Sequence, residues 1–342
     1  MIPVVRGSEP VALTAKRRAQ LSRAVLDHKA GRELDYSGYE VAKNDLLNAQ
    51  HYKCAFCEKD IRKEGNPVEH FRPKAFVDNE DGTPRDGSRY WWLAWTWENL
   101  LFACFRCNTT KKRNKFPLEA GTASLPTMTF DLSQERPLLI DPSRVDPRDH
   151  IRFKWSKTRG KWLPVAVAGS RLGDKTIRLL GLDEDDAAQR HVGKVEPWVD
   201  NLLLYIRHGD VPNARLTWEA LLKSFFGKEH AFHALTWDIL DTRVPVPVRN
   251  KFQLQMPSLG QCRTQPPVPA FLDPPEMAAL PDDLQLRVRA LGRYASQDES
   301  LDVLKDVLSL KTWTDEELGR LFDRGVSTIK TWRKQVAVSA PP

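Results

Sequence analysis

At 342 residues with 41% hydrophobic content, the chain is long enough for two or three packed domains. A formal net charge of +7 suits a polyanionic partner without establishing one. No apolar run approaches a membrane span or a signal-peptide core, and four of the five cysteines fall in two tight pairs, which argues for thiolate ligands in a reducing, cytoplasmic setting over a secreted disulfide framework.

Residues 1–50 read as helical and basic. After Pro10 the stretch Thr14 to Leu21 is rich in helix formers, and Leu21, Val25 and Leu26 form a short stripe. A second helix carries Tyr39, Val41, Leu46 and Leu47 toward the first cysteine pair. The basic residues here are expected to be a solvated face. Residues 51–120 form a metal module, so that residues 1–120 make the first domain. Within it, residues 78–89 are turn chemistry throughout and read as a surface loop. Tyr90, Trp91, Trp92, Trp95 and Trp97 are suited to stacking bases, but a small module with little else to bury is expected to use them as core.

Residues 121–256 read as a mostly helical accessory region. It opens with a turn after Pro137-Leu138-Leu139-Ile140-Asp141-Pro142 and a short hairpin around Arg159-Gly160. Farther on, Asn213 is the expected N-cap of a helix with a stripe of Leu216, Ala220, Leu221 and Phe225, stopped by Gly227. Asp141, Asp146 and His150 are candidates for recruitment to the site, although carboxylates beside proline usually cap turns. Residues 257–284 are proline-dense and read as a stiff linker, the clearest boundary in the chain. Residues 285–342 return to helices and end in a pattern like a helix-turn-helix. Thr314 and Glu317 have capping-box spacing, and Leu318, Phe322, Ile329 and Trp332 face inward. Gly319 permits a close helix crossing, and Gly325 sits two residues later than the usual turn glycine. Ser327, Thr328, Lys330, Thr331 and Arg333 face outward, suited either to DNA or to a protein-docking role. The overall fold class is α+β and mostly α.

The chemistry concentrates between Cys54 and Leu118. Cys54 with Cys57, and Cys104 with Cys107, give two Cys-x-x-Cys turns, each able to supply two thiolates to a tetrahedral zinc ion. Four thiolates close the coordination sphere, so this metal is structural, a staple for a module too small to hold itself together. Phosphodiester hydrolysis needs water deprotonated near neutral pH, a task for histidine, and charge neutralised by a divalent cation on hard oxygen ligands. Glu69 and His70 are adjacent, so on a strand their side chains diverge. Asn108 follows the last cysteine, begins a helix and supplies an amide oxygen. Lys111, Lys112, Arg113 and Lys115 come next, with no acid before Glu119, and form a cationic patch for a phosphate backbone.

In order and spacing these residues resemble the HNH (ββα-metal) endonuclease family in its four-cysteine zinc form. More narrowly, the chain is similar to HNH nuclease subunits of Septu-type and retron-linked anti-phage systems. The likeness rests on Lys43, Leu47, Gln50 and Lys53 before Cys54, on Glu69-His70-Phe71-Arg72-Pro73-Lys74, on Trp97-Glu98-Asn99-Leu100-Leu101, and on Cys104-x-x-Cys107-Asn108-x-x-Lys111 running to Phe116-Pro117-Leu118. It continues faintly through Leu138 to Pro142 and Thr176 to Leu182. The resemblance implies a zinc-stapled ββα-metal core, His70 as general base, Glu69 and Asn108 holding a catalytic Mg²⁺ or Mn²⁺, and Asn99 fixing the loop that aims His70. The family's last letter is often histidine where this chain has Asn108. The resemblance also implies an ATPase partner subunit. The expected nucleic-acid contacts are Arg72, Lys74, Lys111, Lys112, Lys115, Lys330 and Arg333, with DNA the expected substrate and RNA an alternative. The rival reading is a zinc and helix-turn-helix regulator that binds nucleic acid without cutting it. A pure zinc knuckle, however, has no use for Glu69, His70 and Asn108 together.

Overall fold

The computed structural model describes residues 1–79, 81, 83, 90–125, 127–128, 135–259, 274–291, 297–322 and 324–338. Most of the turn-rich loop, Cys262 and the middle of the proline-dense run lie outside these residues. Within them the protein is mostly helical, with two separate two-stranded antiparallel sheets and a four-cysteine cluster. No helix among the described residues is long and apolar enough to cross a membrane.

Helix α1 (Val11–Lys29) follows Pro10, whose extended backbone sets the entry, and buries Leu13, Leu21, Ala24 and Val25. Leu26, expected in that stripe, is 37% exposed instead. A 3₁₀ turn, Tyr39–Ala42, leads into α2 (Lys43–Ala49), which buries Leu46 and Leu47. Strand β1 (Val68–His70) pairs with β2 (Leu100–Phe102), placing Val68 opposite Phe102 and His70 opposite Leu100, and every residue of both strands is buried. The chain between these strands carries the aromatic run. Tyr90, Trp91, Trp92, Trp95 and Trp97 are each no more than 3% exposed, and Trp91 meets Trp92 edge-on at 6.0 Å. They are core, and none is available to stack a base.

After β2 the chain turns through Cys104 into a π-helix, Arg106–Lys112. Beyond it, β3 (Ile151–Ser156) and β4 (Lys161–Ala166) make the expected hairpin, closed by Gly160 at φ +59° with its N–H on the Ser156 carbonyl at 2.8 Å. Helix α3 (Arg171–Leu180) is capped by Ser170 and stopped by Gly181 at φ +55°. Four helices follow: α4 (Asp186–Arg207), α5 (Val211–Phe225), α6 (His233–Arg243) and α7 (Val246–Phe252). The cap of α5 is Asp210, not Asn213, because the Asp210 carboxylate accepts the Asn213 N–H at 3.1 Å. That rotates the buried stripe to Ala214, Trp218, Leu221 and Phe225 and leaves Leu216 66% exposed.

The C-terminal helices are α8 (Asp282–Leu291), α9 (Gln297–Leu308), α10 (Asp315–Leu321) and α11 (Val326–Val338). The capping box forms, and Leu318, Phe322, Ile329 and Trp332 are buried. A Cβ on Gly319 would stand 2.9 Å from the Arg324 carbonyl oxygen, so glycine is needed where α10 meets the turn. At the end of the proline-dense run, Met277 is buried in this bundle and Glu276 pairs with Arg320. Among the described residues, buried apolar side chains form three groups: one from Met1 to Leu180 joined by Leu286, a second from Trp162 to Leu254, and the C-terminal bundle. Helix α8 also packs on α1, where Lys29 pairs with Asp283 and Leu286 joins the first core.

Candidate active site

Cys54, Cys57, Cys104 and Cys107 bring their sulfurs together, all within 4.8 Å of one another. The Cys57 and Cys104 sulfurs are 3.8 Å apart, far beyond a disulfide bond and close to the roughly 3.8 Å edge of a tetrahedron with Zn–S bonds of about 2.3 Å. The Cys104 N–H points at the Cys54 sulfur and the Cys107 N–H at the Cys104 sulfur, as thiolate ligands require. Hydrogen bonds from Cys107 and then from Cys54 and Cys57 hold the Cys104 thiol far below its ordinary pKa, while Cys57 and Cys107 are pushed up, chiefly by Cys104. Four crowded sulfurs cannot all ionise alone, and a divalent cation removes that conflict. The donor set therefore fits a metal ion of zinc's kind.

The staple fixes the Phe102 end of the short sheet. The Ala55 N–H bonds the Phe102 carbonyl at 3.1 Å, and the Asn108 N–H bonds the Cys104 carbonyl at 3.0 Å. Gln50, 6% exposed, grips Phe102 from both sides: its amide donates to the Phe102 carbonyl at 2.7 Å and accepts the Phe102 N–H at 2.8 Å.

His70 ends β1 with its Nε2 at 2.9 Å from the Ala94 carbonyl oxygen. A carbonyl only accepts, so Nε2 carries the hydrogen and Nδ1 is the basic nitrogen of the neutral ring. Burial, with Lys74 adding to it, holds the His70 pKa well below the usual histidine value, against the opposing effect of the Ala94 bond. The imidazole is thus neutral at pH 7. Tyr39 meets it edge-on at 4.5 Å, and the Lys74 ammonium lies 4.0 Å from the Tyr39 ring centre. Burial pulls the Lys74 pKa down to about 8 and pushes Tyr39 up to about 12.

Asn99 is fully buried and ties the backbone behind His70. Its Oδ1 accepts the Arg72 N–H at 2.8 Å, and its Nδ2 donates to the Arg72 and Leu93 carbonyls at 3.0 and 3.2 Å. Asn108 sits on the π-helix with its Nδ2 at 3.4 Å from the Val68 carbonyl, one residue before Glu69, leaving Oδ1 as its acceptor. The wide turn is closed by the Arg113 N–H on the Asn108 carbonyl at 2.7 Å, and Arg113 leaves it at φ +53°.

Glu69 is 2% exposed, and its Oε1 lies 2.6 Å from the Lys112 Nζ. Burial raises the Glu69 pKa and Lys112 opposes the rise. Lys112 itself is fully buried, and its Nζ also donates to the His70 carbonyl at 2.9 Å.

The cationic patch of the sequence reading is divided by this geometry. Lys112 faces inward onto Glu69. Lys111 pairs with Glu184 at 2.6 Å, and Arg106 reaches the Gly181 carbonyl at 2.7 Å, so both tie the π-helix to the end of α3. Arg113 is exposed and Lys115 half-buried, its backbone bridged to Asp78. Arg72 is 3% exposed and its guanidinium is held by Glu135 at 2.7 Å, which also takes the Tyr90 hydroxyl. Arg333 is engaged by Asp315 and the Trp313 carbonyl, whereas Lys330 is exposed on α11. Asp141 and Asp146 cap turns, and His150 bonds the Ser170 hydroxyl at 2.8 Å. Sequence reasoning missed the Ala94 carbonyl, the Tyr39 ring, Glu135 and the inward turn of Lys112. Only Lys112 carried a signal, its position one helical turn after Asn108.

Parts of the chain are similar to proteins of known name. An aligned stretch of 146 residues is 35% identical to Septu protein PtuB of Bacillus mycoides (strain KBAB4), covering 42% of this chain and 47% of that protein. The chain is a homologue of Septu and retron-linked proteins. It is also 26% identical over 196 residues to Septu protein PtuA of the same organism, covering 56% of this chain and 26% of that one. Over 166 residues it is 27% identical to the Escherichia coli protein named "Retron Ec83 putative HNH endonuclease", covering 42% of this chain and 60% of that protein. In each case the chain spans less than two thirds of the relative's length. No protein-family model matches the chain, and no solved structure matches it significantly.

Proposed function

We propose that the protein is a metal-dependent HNH endonuclease that hydrolyses phosphodiester bonds, with DNA as its substrate, and serves as the nuclease of an anti-phage system alongside an ATPase partner. One observation carries the chemical part: a buried, neutral imidazole whose Nε2 is pinned to a carbonyl, leaving Nδ1 as a base, beside a buried carboxylate. In this reading the four cysteines hold structural zinc. Glu69 and the Asn108 amide oxygen hold Mg²⁺ or Mn²⁺, which when bound neutralises charge on the phosphate and leaving oxygen. His70 Nδ1 takes the proton from the attacking water. The Ala94 carbonyl keeps the ring in the tautomer that can do so, and Asn99 holds the backbone from which the ring projects. Arg113, Lys115, Lys74 and Lys330 remain as candidate phosphate contacts, because Arg72, Lys111, Lys112 and Arg333 have partners inside the protein.

The Septu and retron names of the relatives support the defence role, whereas the ATPase partner is what the family resemblance implies. The test is cleavage of plasmid and single-stranded substrates by the purified chain with Mn²⁺ against EDTA, with and without a candidate ATPase partner. Metal-dependent cutting in either arm supports the reading. Salt-sensitive binding that is indifferent to metal, with no cutting in either arm, would replace it with the regulator.

A further inference from the structure

The side chain that the proposed chemistry leaves unused is Lys112. Of the basic residues after Asn108 it is the one that is fully buried, and a buried ammonium needs a compensating anion and acceptors. It finds both on β1: Glu69 Oε1 at 2.6 Å and the His70 carbonyl at 2.9 Å. Asn108 and Lys112 stand four residues apart on the π-helix, and both reach the same strand, at Val68 and at Glu69 with His70. The ammonium therefore sits where a cation bound by Glu69 and Asn108 would have to come close.

We infer that Lys112 is an internal cation that occupies one oxygen of Glu69 and so sets how tightly the candidate centre takes a divalent ion. The inference rests on the nuclease reading, in which Glu69 is an ion ligand. Two consequences follow from the geometry. With no ion bound, Lys112 keeps the Glu69 carboxylate fixed against β1, so the ligand is oriented before the ion arrives. With an ion bound, the ion meets a unit positive charge at the shared carboxylate, so binding is weaker than the ligand set alone would give. Lys112 is on this account a positioning residue, not a phosphate contact.

The test is Mn²⁺ binding to the full chain, read from the electron paramagnetic resonance signal of the free ion at pH 8.5, where protons compete little for carboxylates. Lys112→Met should bind Mn²⁺ at least about tenfold tighter than the wild type, because the competing charge is gone. Lys112→Gln, which keeps an amide donor for the His70 carbonyl, should shift the same way and serves if the methionine variant does not fold. Equal or weaker binding in the folded variants overturns the inference. Glu69→Gln separates the two levels. If it abolishes Mn²⁺ binding while the Lys112 variants match the wild type, only the role of Lys112 fails. If Glu69→Gln binds as the wild type does, the ion is not at Glu69 and the catalytic reading falls with it.

Discussion

The two sheets among the described residues are the same motif built in opposite ways. The β3–β4 hairpin has two six-residue strands joined by a tight turn at Gly160, and most of its residues are only partly buried. Its pairing is local, set by the turn, and it rests on α6 through Asp238, which takes the Arg152 side chain and the Phe153 N–H. The β1–β2 sheet has three-residue strands, buried throughout, whose partners are brought together only after the chain has passed through the tryptophan cluster. So short a ladder does not hold itself. It is held by the cysteine cluster at one end, by Gln50 along β2, and by Asn99 behind His70. The candidate chemistry sits on this sheet, where non-local contacts hold the backbone that carries it.

The sharpest break of the comparison is to remove the staple. Cys104→Ser, or stripping the metal with a strong chelator, should unfold the β1–β2 module and abolish cleavage. The near-ultraviolet dichroism of the Tyr90–Trp97 cluster should be lost while most helical signal remains. Elemental analysis of the native protein should find one zinc per chain. Retention of the aromatic signal in the metal-free variant would show that the cysteines are not a staple.

Next in size is Asn99→Ala. It strands the Arg72 N–H and two carbonyls in a site with no solvent access, so about 2–4 kcal/mol of stability should be lost in denaturant melts. Cleavage should fall about tenfold or more even at temperatures where the variant is folded, since His70 loses its aim.

A pH titration probes the core of α4 to α6 on which β3–β4 rests. His191 bonds the Thr236 hydroxyl at 2.7 Å and lies against Phe232, and burial pulls its pKa down to about 4. The unfolded chain takes up a proton near the ordinary histidine pKa of about 6.5, whereas the folded protein resists until about pH 4. Stability from this group is therefore complete above about pH 6.5 and is lost as the pH falls to about 4, on the order of 2–3 kcal/mol. Urea melts at pH 7 and 4.5 should show that difference in the wild type and a smaller one in His191→Gln.

The smallest expected effect is Gly160→Ala, at φ +59° with open space around a new Cβ. It should cost about 1 kcal/mol from the left-handed backbone alone and leave cleavage unchanged. A large loss of activity would mean that the two sheets are coupled after all.

How much of this was legible in the sequence follows the same division. The hairpin at Gly160, the capping box at Thr314 and the cysteine pairing are local signals, and the structure has each of them. What the sequence did not give is where long side chains go once distant segments meet. Lys112, Arg72 and Arg333 read as nucleic-acid contacts because the chain order does not show which acid each will meet. Their partners, Glu69, Glu135 and Asp315, arrive from elsewhere in the fold. The helix start at Asp210 was missed for a smaller reason: Asn213 and Asp210 are both good caps, and only the geometry shows which one accepts. The Ala94 carbonyl, which sets the His70 tautomer, is a backbone atom that no residue type announces.

The central claim is that His70 is a base held in one tautomer on a stapled sheet. It is tested most directly by comparing wild type and His70→Ala in Mn²⁺-dependent cleavage, after confirming that both carry the same zinc content and the same aromatic dichroism. Cleavage by the variant should fall about 10²-fold or more with the fold unchanged. A variant that is folded and cuts at close to the wild-type rate would contradict it.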